Sequence, residues 1–317
     1  MKSLITGITG FVGSHLAVYL LSLNHEVYGI CRWRSRMENI EGIKDKITLF
    51  NADIKDAHSI QTAFKYIEPD YCFHLAGQSF VKESWSSPSE TMTANVIGTV
   101  NVLEAIRTEC PDCKIQLAGS SEEYGLVKPE ETPIKETNDL KPMSPYGISK
   151  VALDKLGVLY NMSYGLHTVV TRAFNHEGPR RGDVFVTSNF AKQIATIEAE
   201  PFTKPVMYVG NLEAERDWTD VRDMVQAYWL AITEGVPGEV YNICRGKAWS
   251  VQAMLDTLLE MTSMDIKIEQ DSNRLRPSDV PLLLGDCTKF KDLTGWYPSI
   301  SFETMLKDML DYWRERV

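Results

Sequence analysis

Positive charge is in the minority, long apolar runs are missing, and cysteine is too sparse to staple a fold. The chain carries 43 acidic against 33 basic side chains over 317 residues, a formal net charge of −10. A general nucleic-acid binder needs a basic surface to displace counterions, so that class is excluded. A small anionic ligand is not, because a few local arginines capture a phosphate within an acidic protein. No apolar run approaches the roughly 20 residues of a membrane span. The first residues, MKSLITGITGFVGSH, put glycines where a secretory leader needs its apolar stretch. Six cysteines in a chain this long do not make a disulfide framework. Cys110 and Cys113 form one CPDC with no second pair and no nearby histidine, which reads as two loop thiols, so no metal is expected. These absences predict a cytoplasmic protein with no nucleic-acid or membrane partner. At 44% hydrophobic residues, the chain has enough apolar surface for one large core or two modest ones.

What is present is alternation. Apolar, β-rich runs at 3–7, 26–32, 47–53, 71–77, 114–120 and 167–175 are separated by amphipathic stretches near 11–24, 57–67, 90–108 and 146–164. Strands apolar on both faces with helices between them imply a parallel sheet covered on two sides. Right-handed crossovers make it doubly wound, with ligands beyond the strands' carboxyl ends. The predicted fold class is therefore α/β, a Rossmann-type doubly wound parallel sheet. After about residue 176 the pattern loosens into Pro, Gly and charged loops. A helix at 219–234 and a strand at 239–245 are expected to rejoin the first domain, 1–175. Residues 176–218 and 246–317 are expected to form a smaller mixed α/β lobe over the crevice.

The first strand runs into T-G-I-T-G-F-V-G. Gly7, Gly10 and Gly13 permit a tight turn, close approach of backbone to a pyrophosphate and close helix–strand packing, with Phe11 and Val12 opening the helix. The second strand ends Cys31-Arg32-Trp33-Arg34-Ser35-Arg36, with no acid before Glu38. An acid there would bind the ribose hydroxyl of NAD, whereas Arg32, Arg34, Ser35 and Arg36 suit the 2′-phosphate of NADP. The bland reading of the same stretch is a solvated basic loop, or one contacting a neighbouring subunit. Asp53, closing the third strand beside Ile54, is placed either to touch an adenine or to cap the next helix.

Tyr146 and Lys150, in S-P-Y-G-I-S-K, are four apart and share a helix face. An ammonium beside a phenol favours the phenolate, which suits proton exchange with a sugar hydroxyl or ketone. The apolar run KIQLAGS ends in Ser-Ser-Glu-Glu, and serine and glutamate are poor strand residues.

TGITGFVG, HLAG (74–77), the Ser120 strand end and Tyr146-x-x-x-Lys150 together resemble the extended short-chain dehydrogenase/reductase family. FNHEGPRRGDVFVT (174–187), GNLEAERDW (210–218) and LRPSDVPLLLGD (275–286) resemble its GDP-mannose branch across nearly the whole chain. That branch contains GDP-mannose 4,6-dehydratases and GDP-4-keto-6-deoxymannose reductases. The resemblance implies NADP as cofactor, a GDP-sugar substrate and a homodimer or homotetramer. Leu75, Ala76 and Gly77 then join the cofactor site, and Ser120 joins Tyr146 at the sugar O4. Glu122 falls where sugar 4,6-dehydratases keep a glutamate, with Glu122 or Ser121 as proton donor to the departing C6 hydroxyl. Glu123 is expected to point the opposite way, as side chains alternate along a strand end.

The implied substrate contacts are Ser79, Ser121, Asn175, Val186, Asn189, Lys192, Arg216 and Arg276, with Arg180 and Arg181 evenly balanced between ligand contact and surface ion pair. Two departures stand out: Ser188-Asn189 follow FVT where dehydratases have Arg-Lys, and GFVG stands where they more often have GQDG. The implied reaction converts GDP-D-mannose to GDP-4-keto-6-deoxy-D-mannose, with C4 oxidised, water lost across C5–C6 and hydride returned to C6. Reduction of the C4 ketone by NADPH, or both activities in one enzyme, is the alternative. A non-catalytic NADP-binding sensor on the same fold is the reading from a different class.

Overall fold

The computed structural model describes residues 1–200, 204–274 and 280–317. In chain order, β1 (Lys2–Thr6), α1 (Phe11–Ser22), β2 (Glu26–Cys31), β3 (Thr48–Asn51), α2 (Ala57–Ile67) and β4 (Tyr71–His74) come first. Then follow α3 (Val81–Ser86), α4 (Pro88–Met92), a π-turn (Thr93–Ile97), α5 (Gly98–Glu109), β5 (Lys114–Ala118), α6 (Pro145–Tyr164) and β6 (Thr168–Ala173). The remaining strands are β7 (Asn175–Glu177), β8 (Val206–Val209), β9 (Glu215–Asp220), β10 (Val240–Ile243), β11 (Ala248–Ser250), β12 (Lys267–Gln270) and β13 (Leu282–Leu283). Among them lie α7 (Val186–Ala199), α8 (Val221–Glu234), α9 (Val251–Leu259), α10 (Thr288–Thr294) and α11 (Phe302–Arg314).

Seven strands form one sheet in the order β10-β6-β5-β4-β1-β2-β3, every neighbouring pair parallel. The doubly wound parallel sheet expected from the alternation is what forms. Strand alternation sends successive side chains to opposite cores. Leu4, Cys72 and Val170 enter the core beneath α2, α5 and α6, while Ile5, Phe73 and Val169 enter the core beneath α1 and α8. β10 extends the sheet by pairing with β6. Its register is fixed by Val240 opposite Val170 and Ile243 opposite Ala173.

A third core lies in the later part of the chain, where α7, α9 and α11 pack with Met207, Val209 and Trp218. Its strands pair over long separations: β9 with β7, β11 and β13, and β8 with β12. Trp218 is 1% exposed and Trp249 stacks on Phe302 at 4.4 Å, so both tryptophans are packing residues. All six cysteines are free thiols. No described helix is long and apolar enough to cross a membrane.

Candidate active site

Strand order reverses at β1 and β4, and a cleft of about 530 Å³ opens beyond the carboxyl ends there. This is the crevice position and size range expected of a ligand site in an open α/β sheet. Each strand delivers its following residues to the wall: Gly7 after β1, Arg32 after β2, Asp53 after β3, Leu75–Gly77 after β4, Ser120 after β5 and Phe174–His176 after β6.

The glycine turn is built for close approach. Gly7 has φ +75°, and a Cβ there would lie 3.0 Å from the Ala76 backbone. A Cβ on Gly13 would lie 2.3 Å from the Gly7 carbonyl oxygen, so only hydrogen lets α1 start against the turn. Gly10 caps α1 without any side-chain hydrogen bond, and no acid sits in the first turn. A helix start with that composition, in a glycine cradle, fits a pyrophosphate.

At the adenosine end, Arg32 and Ser35 line the cleft, with the Arg32 N–H donating to Ser35 Oγ at 3.1 Å. Arg34 and Arg36 do not: Arg34 stacks over Trp33 at 4.3 Å, and Arg36 is exposed beside Glu38. The cap of α2 is Asp56, which accepts from the His58 and Ser59 N–H groups. Asp53 therefore stays on the cleft wall with Ile54, its Oδ1 taking the Lys55 N–H at 3.0 Å.

The chemically loaded end gathers Ser120, Ser121, Glu122, Tyr146 and Lys150 on one wall. β5 stops at Ala118, and Ser121–Glu123 make a 3-10 turn capped by Ser120, whose Oγ accepts the Glu122 N–H at 3.2 Å. The two glutamates part as expected, but by a different geometry. In a turn with about three residues per revolution, successive side chains diverge by rotation rather than strand alternation. Glu122 lines the cleft, whereas Glu123 is wholly buried behind it.

α6 begins on Ser144, which accepts from the Gly147 N–H, and Pro145 sits in its first turn. Gly147 lets the helix seat on the turn, since a Cβ there would lie 2.7 Å from the Glu122 carbonyl oxygen. Lys150 Nζ donates to the Ala118 carbonyl at 2.7 Å and stands 5.8 Å from the Tyr146 ring centroid. Burial pushes the phenol up to about 12, with a Ser120 hydrogen bond pulling the other way. Burial likewise pushes the ammonium down to about 8, and Glu123 opposes that shift. In both groups burial, which disfavours the charged form, is the largest cause of the shift.

One supporting network runs behind these residues and ties their motifs together through Asn95. Asn95, in the π-turn, donates to Ser149 Oγ at 2.8 Å and Gln78 O at 2.9 Å, and accepts the Gln78 N–H at 2.8 Å. Ser149 in turn donates to the Tyr146 carbonyl at 2.7 Å. Further back, Thr6 Oγ1 accepts from the Leu75 and Ala76 N–H groups, so its proton faces His74 Nδ1 at 2.9 Å. His74 Nε2 then donates to Thr99, which donates to the Asn95 carbonyl. His74 is pushed down to about 3 by burial and stays neutral. The glycine turn, the 75–78 loop and the Tyr146 helix are locked into one frame.

Of the expected substrate contacts, Ser79, Ser121 and Asn175 line this cleft. Val186 opens α7 away from the lining. Asn189 bonds Asp183, Gln193 and Arg274, and Lys192 pairs with Asp183 at 2.6 Å. Arg216 is buried in β9, donating to the Glu215 and Pro281 carbonyls. Arg276 lies outside the described residues. Arg181, left in balance by the sequence, is on the cleft wall, its guanidinium 3.4 Å from the Phe185 ring centroid and 3.4 Å from Glu177. His176 and Phe185, both within FNHEGPRRGDVFVT, and Tyr228, which belongs to no motif, line the same wall. Among the described residues no group of three His, Cys, Asp or Glu side chains is placed to hold a metal ion.

Comparison with known proteins gives a consistent answer. The family described as GDP-mannose 4,6 dehydratase matches residues 4–309. GDP-mannose 4,6 dehydratase 2 of Arabidopsis thaliana is 36% identical over 98% of this chain and 86% of its own length. GDP-6-deoxy-D-mannose reductase of Pseudomonas aeruginosa is 30% identical over 99% of this chain and 97% of its own. The solved structure of RMD from Pseudomonas aeruginosa complexed with NADPH superposes with a TM-score of 0.87 at 29% identity, covering 100% of this chain and 99% of that one.

Proposed function

The chain belongs to the GDP-mannose 4,6 dehydratase family and is an enzyme, and on that premise we propose that it dehydrates GDP-D-mannose to GDP-4-keto-6-deoxy-D-mannose with NADP as cofactor. The observation that carries this reading is Glu122 on the cleft wall with Ser120, Tyr146 and Lys150, while the neighbouring Glu123 is buried behind it.

The residues present fit a dinucleotide. Gly7, Gly10 and Gly13, with Phe11 and Val12, cradle its pyrophosphate at the α1 start; Arg32 and Ser35 face the adenosine phosphate; Asp53, Ile54 and Leu75–Gly77 wall its length. When bound, the dinucleotide supplies the hydride acceptor and donor. Tyr146 and Ser120 contact the sugar O4, and Tyr146 takes the hydroxyl proton there, with Lys150 holding the positive charge that makes this possible. Glu122 removes the C5 proton once C4 is a ketone, and Glu122 or Ser121 delivers a proton to the departing C6 hydroxyl. Ser79 and Asn175 are sugar-side contacts, and Arg181 suits the substrate's diphosphate as a buried cation.

A second reading, NADPH-dependent reduction of the C4 ketone, is favoured by one observation: the Pseudomonas aeruginosa reductase matches this chain end to end, whereas the Arabidopsis thaliana dehydratase is longer. Incubation with GDP-mannose and no added cofactor separates the two. A 4-keto product without net NADPH change supports dehydration; loss of one NADPH per keto sugar supplied supports reduction. Glu122→Gln is expected to abolish dehydration and spare reduction, so a normally dehydrating variant removes the role given to Glu122. Assembly as a homodimer or homotetramer belongs to the same reading, checkable by sedimentation equilibrium; α6 leaves Ile148, Leu159 and Met162 exposed.

A further inference from the structure

The loop between β7 and α7 carries two adjacent arginines, and the structure treats them differently. Arg180 sits at φ +73°, in the left-handed region, with Nη1 donating to Ser14 Oγ at 3.3 Å. Arg181 lies instead on the cleft wall, its backbone held at both ends. Its N–H donates to the Gly178 carbonyl at 3.2 Å, and its own carbonyl accepts from Ser188 Oγ at 2.7 Å, which accepts in turn from Trp313 Nε1 at 2.9 Å. The guanidinium carbon lies 3.4 Å from the Phe185 ring centroid and 5.0 Å from that of Phe11. Phe11 opens α1 at the glycine cradle and Phe185 caps α7, so the two rings come from the two parts of the fold. Phe80, in the loop after β4, packs on Phe185 at 5.7 Å and 72°. The inner edge of the guanidinium, Nε, faces the buried Glu177 carboxyl with Oε2 at 3.4 Å. That approach makes no hydrogen bond, and both atoms are buried without a partner. Among the described residues neither Nη group of Arg181 donates a hydrogen bond either. A cation so enclosed, with its outer N–H donors free, is costly unless an anion comes to it.

We infer that Phe185 is the positioning residue of an anion site at Arg181, its ring fixing the guanidinium so that the two Nη groups meet a phosphate end-on. The inference rests on the functional reading above for the phosphate itself, which belongs to the dinucleotide or to the sugar nucleotide. A guanidinium holds a phosphate through two parallel N–H···O bonds, and that fork works only when its plane is aimed at the phosphate oxygens. A free arginine side chain gives up rotamer freedom to reach that aim. Here ring contact at 3.4 Å has settled the plane before any ligand arrives. With Nε turned to Glu177, the edge left for a ligand is the one carrying both Nη groups.

The test is a double-mutant cycle on the full-length chain, read by binding rather than turnover. NADPH affinity is followed by fluorescence titration and GDP affinity by isothermal titration, and the ligand that loses affinity in Arg181→Met is the one that brings the phosphate. That loss is expected to be about 10- to 100-fold. Phe185→Leu, which keeps apolar bulk but loses the π face, is expected to weaken the same ligand about 5- to 20-fold. Phe185→Tyr keeps the face and is expected to bind within about threefold of the wild type. In the Arg181→Met background Phe185→Leu is expected to cost nothing further, an outcome that a purely packing role does not give. Arg181→Gln, whose amide can donate to Glu177, takes the place of the methionine variant should that one not fold. Additive losses, or a Phe185→Leu variant that binds like the wild type, overturn the positioning role and leave Arg181 its phosphate. An Arg181→Met variant that binds both ligands like the wild type removes the anion site and the inference with it. A wild type that turns over neither sugar nucleotide sinks the functional reading alone, because the cycle still decides this one.

Discussion

In the seven-stranded sheet most neighbours are successive strands joined by one crossover, whereas β9 pairs with β7, β11 and β13 from three distant parts of the chain. The first arrangement writes itself into local sequence: a two-faced apolar run, a turn signal, an amphipathic stretch, then the next run. The second depends on partners tens of residues away, and its strands carry buried charge. β9 alone contributes Arg216, Asp217 and Asp220, all buried, with Asp217 accepting the Arg245 and Gly246 N–H groups. Fold and cofactor cradle belong to the first kind of order, and the later core to the second.

If that division is physical, each region can be damaged without the other. The largest effect is expected from Tyr146→Phe, which removes the proton carrier and leaves the ring's packing. It should cost about 10³-fold or more in kcat, near 4 kcal/mol of barrier, with thermal stability close to wild type. A variant retaining a tenth of the activity would show that the phenol is not the proton acceptor.

Next in size is Phe302→Ala. Phe302 stacks on Trp249 at 4.4 Å and lies 5.9 Å from Trp218, at the centre of the later core. Its truncation should cost about 3 kcal/mol or more of stability. Dinucleotide affinity, measured by fluorescence titration below the unfolding transition, should change less than threefold. Equal loss of both would mean that the cores are not separable.

The same division explains which parts of the site were legible. Glycines at 7, 10 and 13, Tyr146 with Lys150, and the strand ends needed only local spacing, and all line the cleft. The parting of Glu122 and Glu123 was foreseen through a strand that ends two residues earlier than expected, at Ala118. Asn95 and Tyr228 reach the site or its frame through tertiary packing, and no local pattern distinguishes them from core residues. Val186, Asn189 and Lys192 were assigned from a resemblance in the region of long-range order, and there the described cleft does not include them.

The smallest contrast lies within a single loop. Four polar positions in five residues, Arg32, Arg34, Ser35 and Arg36, looked equivalent in sequence as partners for a phosphate on the adenosine ribose. The structure divides them. Arg32 and Ser35 wall the cleft and are tied together through the Arg32 N–H, whereas the Arg36 side chain is 88% exposed, 4.0 Å from Glu38, which is also exposed. An exposed pair of that kind contributes little, about 0–1 kcal/mol, whereas a guanidinium meeting a phosphate at a cleft wall makes charge-assisted hydrogen bonds of about 1.5–3 kcal/mol. Arg32→Ala should therefore weaken NADPH binding about 10- to 100-fold while leaving NADH binding nearly unchanged. Arg36→Ala should move either constant by less than twofold. Isothermal titration of both variants with both dinucleotides decides the matter, and equal losses for the two arginines would mean that the loop closes over the phosphate as a unit, with its charge rather than its geometry doing the selecting.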